Sequence, residues 1–399
     1  MARAVAVAGT GQTKYKSRYP ELTQPDLLRT AIRRALEDAR LTLDDIDAVV
    51  YAMAPDALTG VMHAERWLAD ASGAIDGKPV IRINTGGATG LSAVQAGYDH
   101  IASGAFDTVL ICAAERTGES GDAQSILNRI WDPMFERALP LNTITMLAMQ
   151  AVCFFQKYGT TEEDMAHVSV KRHKAALKNP YAHIQQDVTV EEVLRSRMIA
   201  YPIKLLDSCP SSSGAAAMVL TNGETIKRLN ERPAWITGLG CAAETYWMGD
   251  RTGPKAEAYH ADSPALAQSI QTSYAMAGLA AKDMQVAELY APFSNIELHV
   301  IPEAGFASPY EVARRMREGA FDLDGEMPIN PSGGVLCSNP IAATALIRGI
   351  EAANQVMGRA GDHQVKGVRN ALATGIGGDH QFFASMIFSD RPRAGDDLS

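Results

Sequence analysis

Cysteine is scarce and unpatterned in this chain. The five, Cys112, Cys153, Cys209, Cys241 and Cys337, are odd in number, scattered and free of any C-x-x-C pair. That argues against a disulfide framework and a zinc site, and it fits a reducing cytoplasm. His63 has no metal-ligand spacing to another histidine, and no metal is expected. His63, in Gly60-Val61-Met62-His63-Ala64-Glu65, reads as helix surface or interface. Positive charge is in deficit too, with 37 Lys and Arg against 46 Asp and Glu and a net charge of -9. A nucleic-acid partner is therefore not expected, because phosphate backbones are met by a basic excess. Long apolar runs are missing, none approaching the ~20 residues that span a bilayer, so no membrane partner is expected. The apolar start Met1 to Gly9 is broken by Thr10-Gly11-Gln12-Thr13-Lys14 well before signal-peptide length and reads as a first buried strand.

What is present is ordinary globular composition, 399 residues with 46% hydrophobic and 21% charged side chains, enough for two core-forming halves. One layout occurs twice. Helical spacing over Leu27 to Leu36 leads through Leu41 to Asp47 into the strand Ala48-Val49-Val50-Tyr51. Helical spacing over Ala265 to Met276 leads through Leu279 to Gln285 into Val286-Ala287-Glu288-Leu289-Tyr290. Next, Pro79 to Gly87 precedes a helix over Ala88 to Ser103, as Met327 to Gly334 precedes one over Ile341 to Val356. Closing strands follow at Asp107 to Cys112 and Asn370 to Thr374. Two α/β halves on one plan predict a duplication around a buried central helix layer.

The connecting segment, Thr117 to Cys209, differs in composition. It carries helices over Leu141 to Tyr158, Thr161 to Lys178 and Val190 to Arg197, and the densest basic run, Lys171-Arg172-His173-Lys174. An insertion of this length serves as a lid or binding surface, although a basic run of this kind also suits a solvated helix face. The expected organisation is 1–116 with 210–230 as the first half, 117–209 as the insertion and 231–399 as the second half.

The most telling stretch is Ile83-Asn84-Thr85-Gly86-Gly87-Ala88-Thr89-Gly90-Leu91-Ser92-Ala93. A branched strand enters glycines and then a small-residue helix, the geometry that lifts a nucleophile to a helix N-terminus, yet Gly87 stands at the tip.

Together these motifs resemble the thiolase superfamily, and within it the sterol-carrier-protein-like thiolases. Asn84 to Ser92 looks like the first nucleophile loop, His173 to Pro180 like the segment before the "NP" turn, and Glu288 to Ser294 like the "HDxF" region. Asn330-Pro331-Ser332-Gly333-Gly334 with Asn339-Pro340 resembles "NPSGG…GHP", and Gly375-Ile376-Gly377-Gly378 the last catalytic loop. The resemblance implies an α/β thiolase fold: duplicated βαβαβαββ halves in an αβαβα five-layer sandwich with an inserted helical loop domain.

It also exposes departures. The acyl-enzyme cysteine of a thiolase becomes Gly87, the second cysteine Gly375, the GHP histidine Asn339 and the HDxF histidine Tyr290. Glycine offers neither nucleophile nor proton, so the covalent route is closed at both positions, while glycine backbone N–H groups can still hold an oxyanion. Steroid side-chain aldolases, which resemble thiolases but lack the cysteine pair, cleave a Cα–Cβ bond of a β-hydroxyacyl-CoA by retro-aldol chemistry. On that resemblance Tyr290 is the candidate base or proton relay, with a packed aromatic as its plainer reading. His380 is a candidate base or a surface-turn residue. Cys337 is a displaced nucleophile, with thiolysis of an unusual β-ketoacyl-CoA as the reaction, or a small buried residue. Asn84 and Asn330 are expected to pin backbone. Lys171, Arg172, His173 and Lys174 are the candidates for the CoA phosphates.

The resemblance further implies coenzyme A as part of the substrate with no cofactor bound by the chain, a homodimer through the core, and a small zinc-ribbon/OB-fold partner protein. Three functions follow as expectations: retro-aldol cleavage, thiolysis or acyl transfer through non-standard residues, and a catalytically silent CoA-ester-binding subunit.

Overall fold

The computed structural model describes residues 2–74, 77–229, 232–251 and 260–398. The expected boundary at 230/231 lies outside the described residues. Strands β1 (Val5–Gln12), β2 (Ala48–Ala52), β3 (Val80–Ile83), β4 (Thr108–Arg116), β5 (Met198–Ala200), β6 (Ile203–Lys204), β7 (Ser213–Asn222), β8 (Ala234–Ala243), β9 (Val286–Glu288), β10 (Asn370–Gly377) and β11 (Phe382–Ser389) occur in chain order. Nine of them form one sheet, ordered β3-β2-β4-β7-β1-β8-β11-β10-β9, and β5 pairs with β6 separately.

The duplication is explicit in this order. The first half runs β3-β2-β4-β7-β1; the second runs outward from β8 through β11, β10 and β9 to a bridge between Ala287 and Ile329. Each half thus places equivalent strands at equivalent positions. The two half-sheets join through two residue pairs, Ala6 with Trp235 and Val7 with Ala234, a join that the repeat pattern does not announce.

Outer helices Gln24–Ala39 and Pro264–Ala277 cover β1 with β7 and β8 with β11 respectively. The central helices Thr89–Ala102 and Ala342–Met357 pack on each other between the half-sheets. Their closeness requires Gly90, because a Cβ there would stand 2.0 Å from the Leu346 backbone nitrogen. The second central helix buries nearly every residue, including Arg348 and Glu351. Arg348 forms a buried ion pair with Glu288, at the end of β9, and donates to Ser332 Oγ at 2.7 Å. Charges so placed are tolerated only when paired, and this pair holds β9 against the 330–334 turn.

The insertion is helical where its spacing predicts, at Thr143–Tyr158, Glu162–Ala176 and Val190–Arg195. Asn142, Thr161 and Thr189 cap these helices with side-chain oxygens on the first-turn N–H groups. No described helix is long and apolar enough to cross a membrane.

Candidate active site

A cavity of about 620 Å³ opens where the loops after β3, β9 and β10 meet the insertion. Gly87 sits on its wall, after Asn84, whose Oδ1 accepts from Gly86 N at 3.1 Å and fixes the turn. The segment then enters the helix Thr89–Ala102, whose N-terminal dipole faces the loop.

Tyr290 follows β9. Its loop is held from both sides: Leu289 N donates to Asn330 Oδ1 at 2.7 Å, and Tyr290 N donates to Thr374 Oγ1 at 2.9 Å. The side chain is 5% exposed, lines the cavity, and its hydroxyl has no hydrogen-bond partner among the described residues. A Cβ built on Gly87 would lie 2.2 Å from that hydroxyl and 2.3 Å from the Ile376 carbonyl oxygen. The phenol therefore stands in the room that a nucleophile at position 87 would need. Burial raises the Tyr290 pKa well above its ordinary value, so the phenol is neutral at physiological pH. A neutral phenol in this place can donate or relay a proton.

Gly377 adds a second consequence of absent side chains. A Cβ on it would stand 2.8 Å from Gly87 N and 2.9 Å from Ala88 N. Glycine at 377 thus lets the end of β10 pack directly on the 85–88 turn, since the same Cβ would stand 1.9 Å from the Thr85 carbonyl oxygen. Gly375 lies behind the wall: a Cβ there would meet Ala88 Cα at 3.1 Å and Ala345 Cβ at 3.2 Å, tight packing with no passage to the cavity.

Asn339 lines the cavity, its Oδ1 accepting from Thr344 Oγ1 at 2.7 Å and its Nδ2 donating to Cys209 Sγ at 3.1 Å. His380 also lines it, but both nitrogens are withdrawn. Nε2 is 2.5 Å from Ser263 Oγ, and Nδ1 is buried without a partner. Burial first, then neighbouring His299 and Arg251, holds this imidazole neutral. His380 is thus a buried wall residue of the cavity, and its reading as a surface-turn residue is overturned. Beside it, Asp379 buries both carboxylate oxygens without partners, and burial pushes its pKa well up.

Cys337 stands outside the cavity. It is fully buried, packed with Ala176 and Ala182, with Sγ 3.5 Å from the Arg172 carbonyl. Burial pushes its thiol up to about 12. The displaced-nucleophile reading gives way to the small buried residue.

The basic run divides by helix phase. Arg172 and His173 face inward with Met165, Ser169 and Ala176. Arg172 Nε is 3.1 Å from Glu297 Oε1, and its Nη1 donates to the Asn330 carbonyl at 3.1 Å. It pins the 330 turn and has no reach to a phosphate. His173 is held neutral, its pKa pushed down to about 4 by burial. Lys171 pairs with Asp322 at 2.5 Å, while Lys174 is exposed. His63 is exposed, with Nδ1 3.0 Å from Glu65 Oε1. Among the described residues, no three or more His, Cys, Asp or Glu are grouped to hold a metal ion.

Cys209 is the cavity residue that sequence reasoning missed. It lies between the insertion and β7, and its N–H donates to the Pro292 carbonyl at 2.9 Å, which ties it to the Tyr290 loop. Nothing in its local sequence distinguishes it from the other cysteines; only the folded path from insertion to sheet does.

Two α/β halves sharing a strand order, with glycine loops meeting over a central helix pair, define a thiolase-type architecture. The chain matches the "Thiolase, N-terminal domain" model over residues 5–224 and the "Thiolase C-terminal domain-like" model over 255–390. It belongs to the thiolase family, in its sterol-carrier-protein-like branch. An acetyl-CoA acetyltransferase of Methanothermobacter thermautotrophicus is 31% identical, covering 97% of this chain and 100% of that protein. The 17-hydroxy-3-oxo-4-pregnene-20-carboxyl-CoA lyase of Mycobacterium tuberculosis is 28% identical, covering 83% and 86%. The solved "Ltp2-ChsH2(DUF35) aldolase" superposes with a TM-score of 0.81 at 26% identity, covering 97% of this chain and 98% of that one.

Proposed function

We propose that this protein cleaves the Cα–Cβ bond of a β-hydroxyacyl-CoA by a retro-aldol route, without an acyl-enzyme. The observation that carries the reading is the Tyr290 hydroxyl in the place of a residue-87 nucleophile. Coenzyme A enters as the substrate's thioester handle, and the carbonyl oxygen of that thioester lies against Gly87 N and Ala88 N, at the turn that enters the helix Thr89–Ala102. These backbone dipoles, at a helix N-terminus, oppose the negative charge that grows as the bond breaks. Tyr290 accepts the β-hydroxyl proton while passing on its own, which a neutral phenol can do and an isolated buried phenolate cannot sustain. The mainly apolar walls, including Leu127, Trp131, Leu147 and Ile296, suit a bulky hydrocarbon acyl group.

The pregnene-carboxyl-CoA lyase and the Ltp2 aldolase support this reading. The acetyltransferase at 31% identity favours a second one, thiolysis with free CoA. That reaction needs a nucleophile other than positions 87 and 375. Two associations accompany the proposal. Val80 and Ile81, 41% and 37% exposed on the edge strand β3, suit a homodimer joined there. A DUF35-type partner is suggested by the similarity to the solved Ltp2-ChsH2(DUF35) aldolase.

The test is to supply β-hydroxyacyl-CoA and β-ketoacyl-CoA panels, alone and with a co-expressed partner, and to identify products by mass. Cleavage of β-hydroxyacyl-CoA into a carbonyl compound and a shortened acyl-CoA, without free CoA, is expected. A strict requirement for free CoA overturns the proposal in favour of thiolysis.

A further inference from the structure

Retro-aldol cleavage leaves a thioester enolate whose Cα must regain a proton, and the thiolase position that handles that proton, 375, is here a glycine packed behind the wall. One thiol nevertheless faces the same cavity. Cys209 arrives from a different part of the chain, in contact with Asn339 and lining the same cavity as Tyr290. Its backbone is paired to the Tyr290 loop by Cys209 N donating to the Pro292 carbonyl at 2.9 Å, within the antiparallel bridge between Ser208 and Phe293. Its sulfur accepts from Asn339 Nδ2 at 3.1 Å. That contact uses a sulfur lone pair, leaves S–H unused, and stabilises the thiolate that forms once the proton is given away. Tyr290 supplies the independent sign of a ligand, a 95%-buried side chain in this cavity with no partner on its hydroxyl.

We infer that Cys209 is the acid that protonates Cα of the released enolate, a thiol relocated from the last loop to the end of the insertion. The inference rests on the retro-aldol reading. The step balances. The Cα–Cβ pair becomes the enolate, Cα takes the Cys209 proton, the thiolate takes the Tyr290 proton, and Tyr290 takes the β-hydroxyl proton. No oxidant and no net proton from solvent is needed. Burial pushes the thiol up to about 11, so it is protonated at rest, as an acid must be. A thiolate at 209 also raises the Tyr290 phenol. The two groups therefore share an electrostatic environment.

The test uses the full chain, with its partner if one is required, and Cys209→Ala and Cys209→Ser. Propionyl-CoA in D₂O serves as probe, with deuterium entry at Cα read by mass alongside β-hydroxyacyl-CoA cleavage. Both variants are expected to melt with the wild type, to bind substrate with little change in KM, and to lose about 100-fold or more in Cα exchange and kcat. Ser, which keeps an acceptor for Asn339 Nδ2, is expected to restore no exchange relative to Ala. Wild-type exchange in Cys209→Ala overturns the inference, as does an acyl adduct on Cys209, which assigns it as a nucleophile instead. If the protein exchanges Cα protons in a Cys209-dependent way but cleaves no β-hydroxyacyl-CoA, the retro-aldol reading fails and the acid remains. If it cleaves with exchange independent of Cys209, the reverse holds.

Discussion

The hydroxyl of Tyr290 and the missing side chain of Gly87 compete for one place, since a Cβ on Gly87 would approach that oxygen to 2.2 Å. Substitution at 87 must therefore move either the phenol or the Ile376 carbonyl at 2.3 Å. Gly87→Ala is expected to destabilise by about 1–3 kcal/mol, the cost of overpacking, and to abolish cleavage. Gly87→Cys is expected to do the same without creating a thiolase. Chemical denaturation and a CoA-dependent thiolysis assay check both; thiolysis appearing in Gly87→Cys counts against the geometry.

The basic run offers a contrast between neighbours. Arg172→Ala strands the buried Glu297 carboxylate and releases the Asn330 turn, so a loss of about 3–5 kcal/mol is expected. Lys174→Ala, on the exposed side of the same helix, is expected to change stability by less than about 0.5 kcal/mol. Denaturant midpoints measured side by side decide it, and equal losses would show that the helix phase is wrong.

Glu115 makes a pH prediction. It is buried, accepts from Ala54 N at 2.7 Å, and burial pushes its carboxyl up to about 8. A folded-state pKa above the unfolded one means that the stability tied to the neutral carboxyl is complete below about 4.5 and lost as pH rises through about 8. Glu115→Gln keeps an acceptor and cannot ionise, so its melting temperature should match wild type at low pH and exceed it at high pH. Parallel melting curves from pH 5 to pH 9 would contradict this.

Much of the fold is legible before folding because its halves repeat a periodicity. Helical spacing from Leu27 and from Ala265, each leading to a branched strand, reports local geometry, and the helices Gln24–Ala39 and Pro264–Ala277 appear there. The β1 to β8 join depends on how two finished half-sheets meet, which no local pattern encodes. In the site, Gly87, Tyr290 and Asn339 are legible because each occupies a loop between recognisable elements. Arg172, His173 and Cys337 mislead because charge and sulfur report chemistry without orientation, and burial decides what they touch. Cys209 is invisible for the opposite reason, since its partners Asn339 and Pro292 come from distant sequence.

The central claim, that a phenol has taken the nucleophile's place and moves the β-hydroxyl proton, is tested most directly by steady-state kinetics of Tyr290→Phe on a cleavable β-hydroxyacyl-CoA. Removing one oxygen leaves the ring packing intact. The expected result is a kcat at least about 100-fold lower, with KM within a few-fold and thermal stability near wild type. Undiminished kcat in Tyr290→Phe would contradict the account.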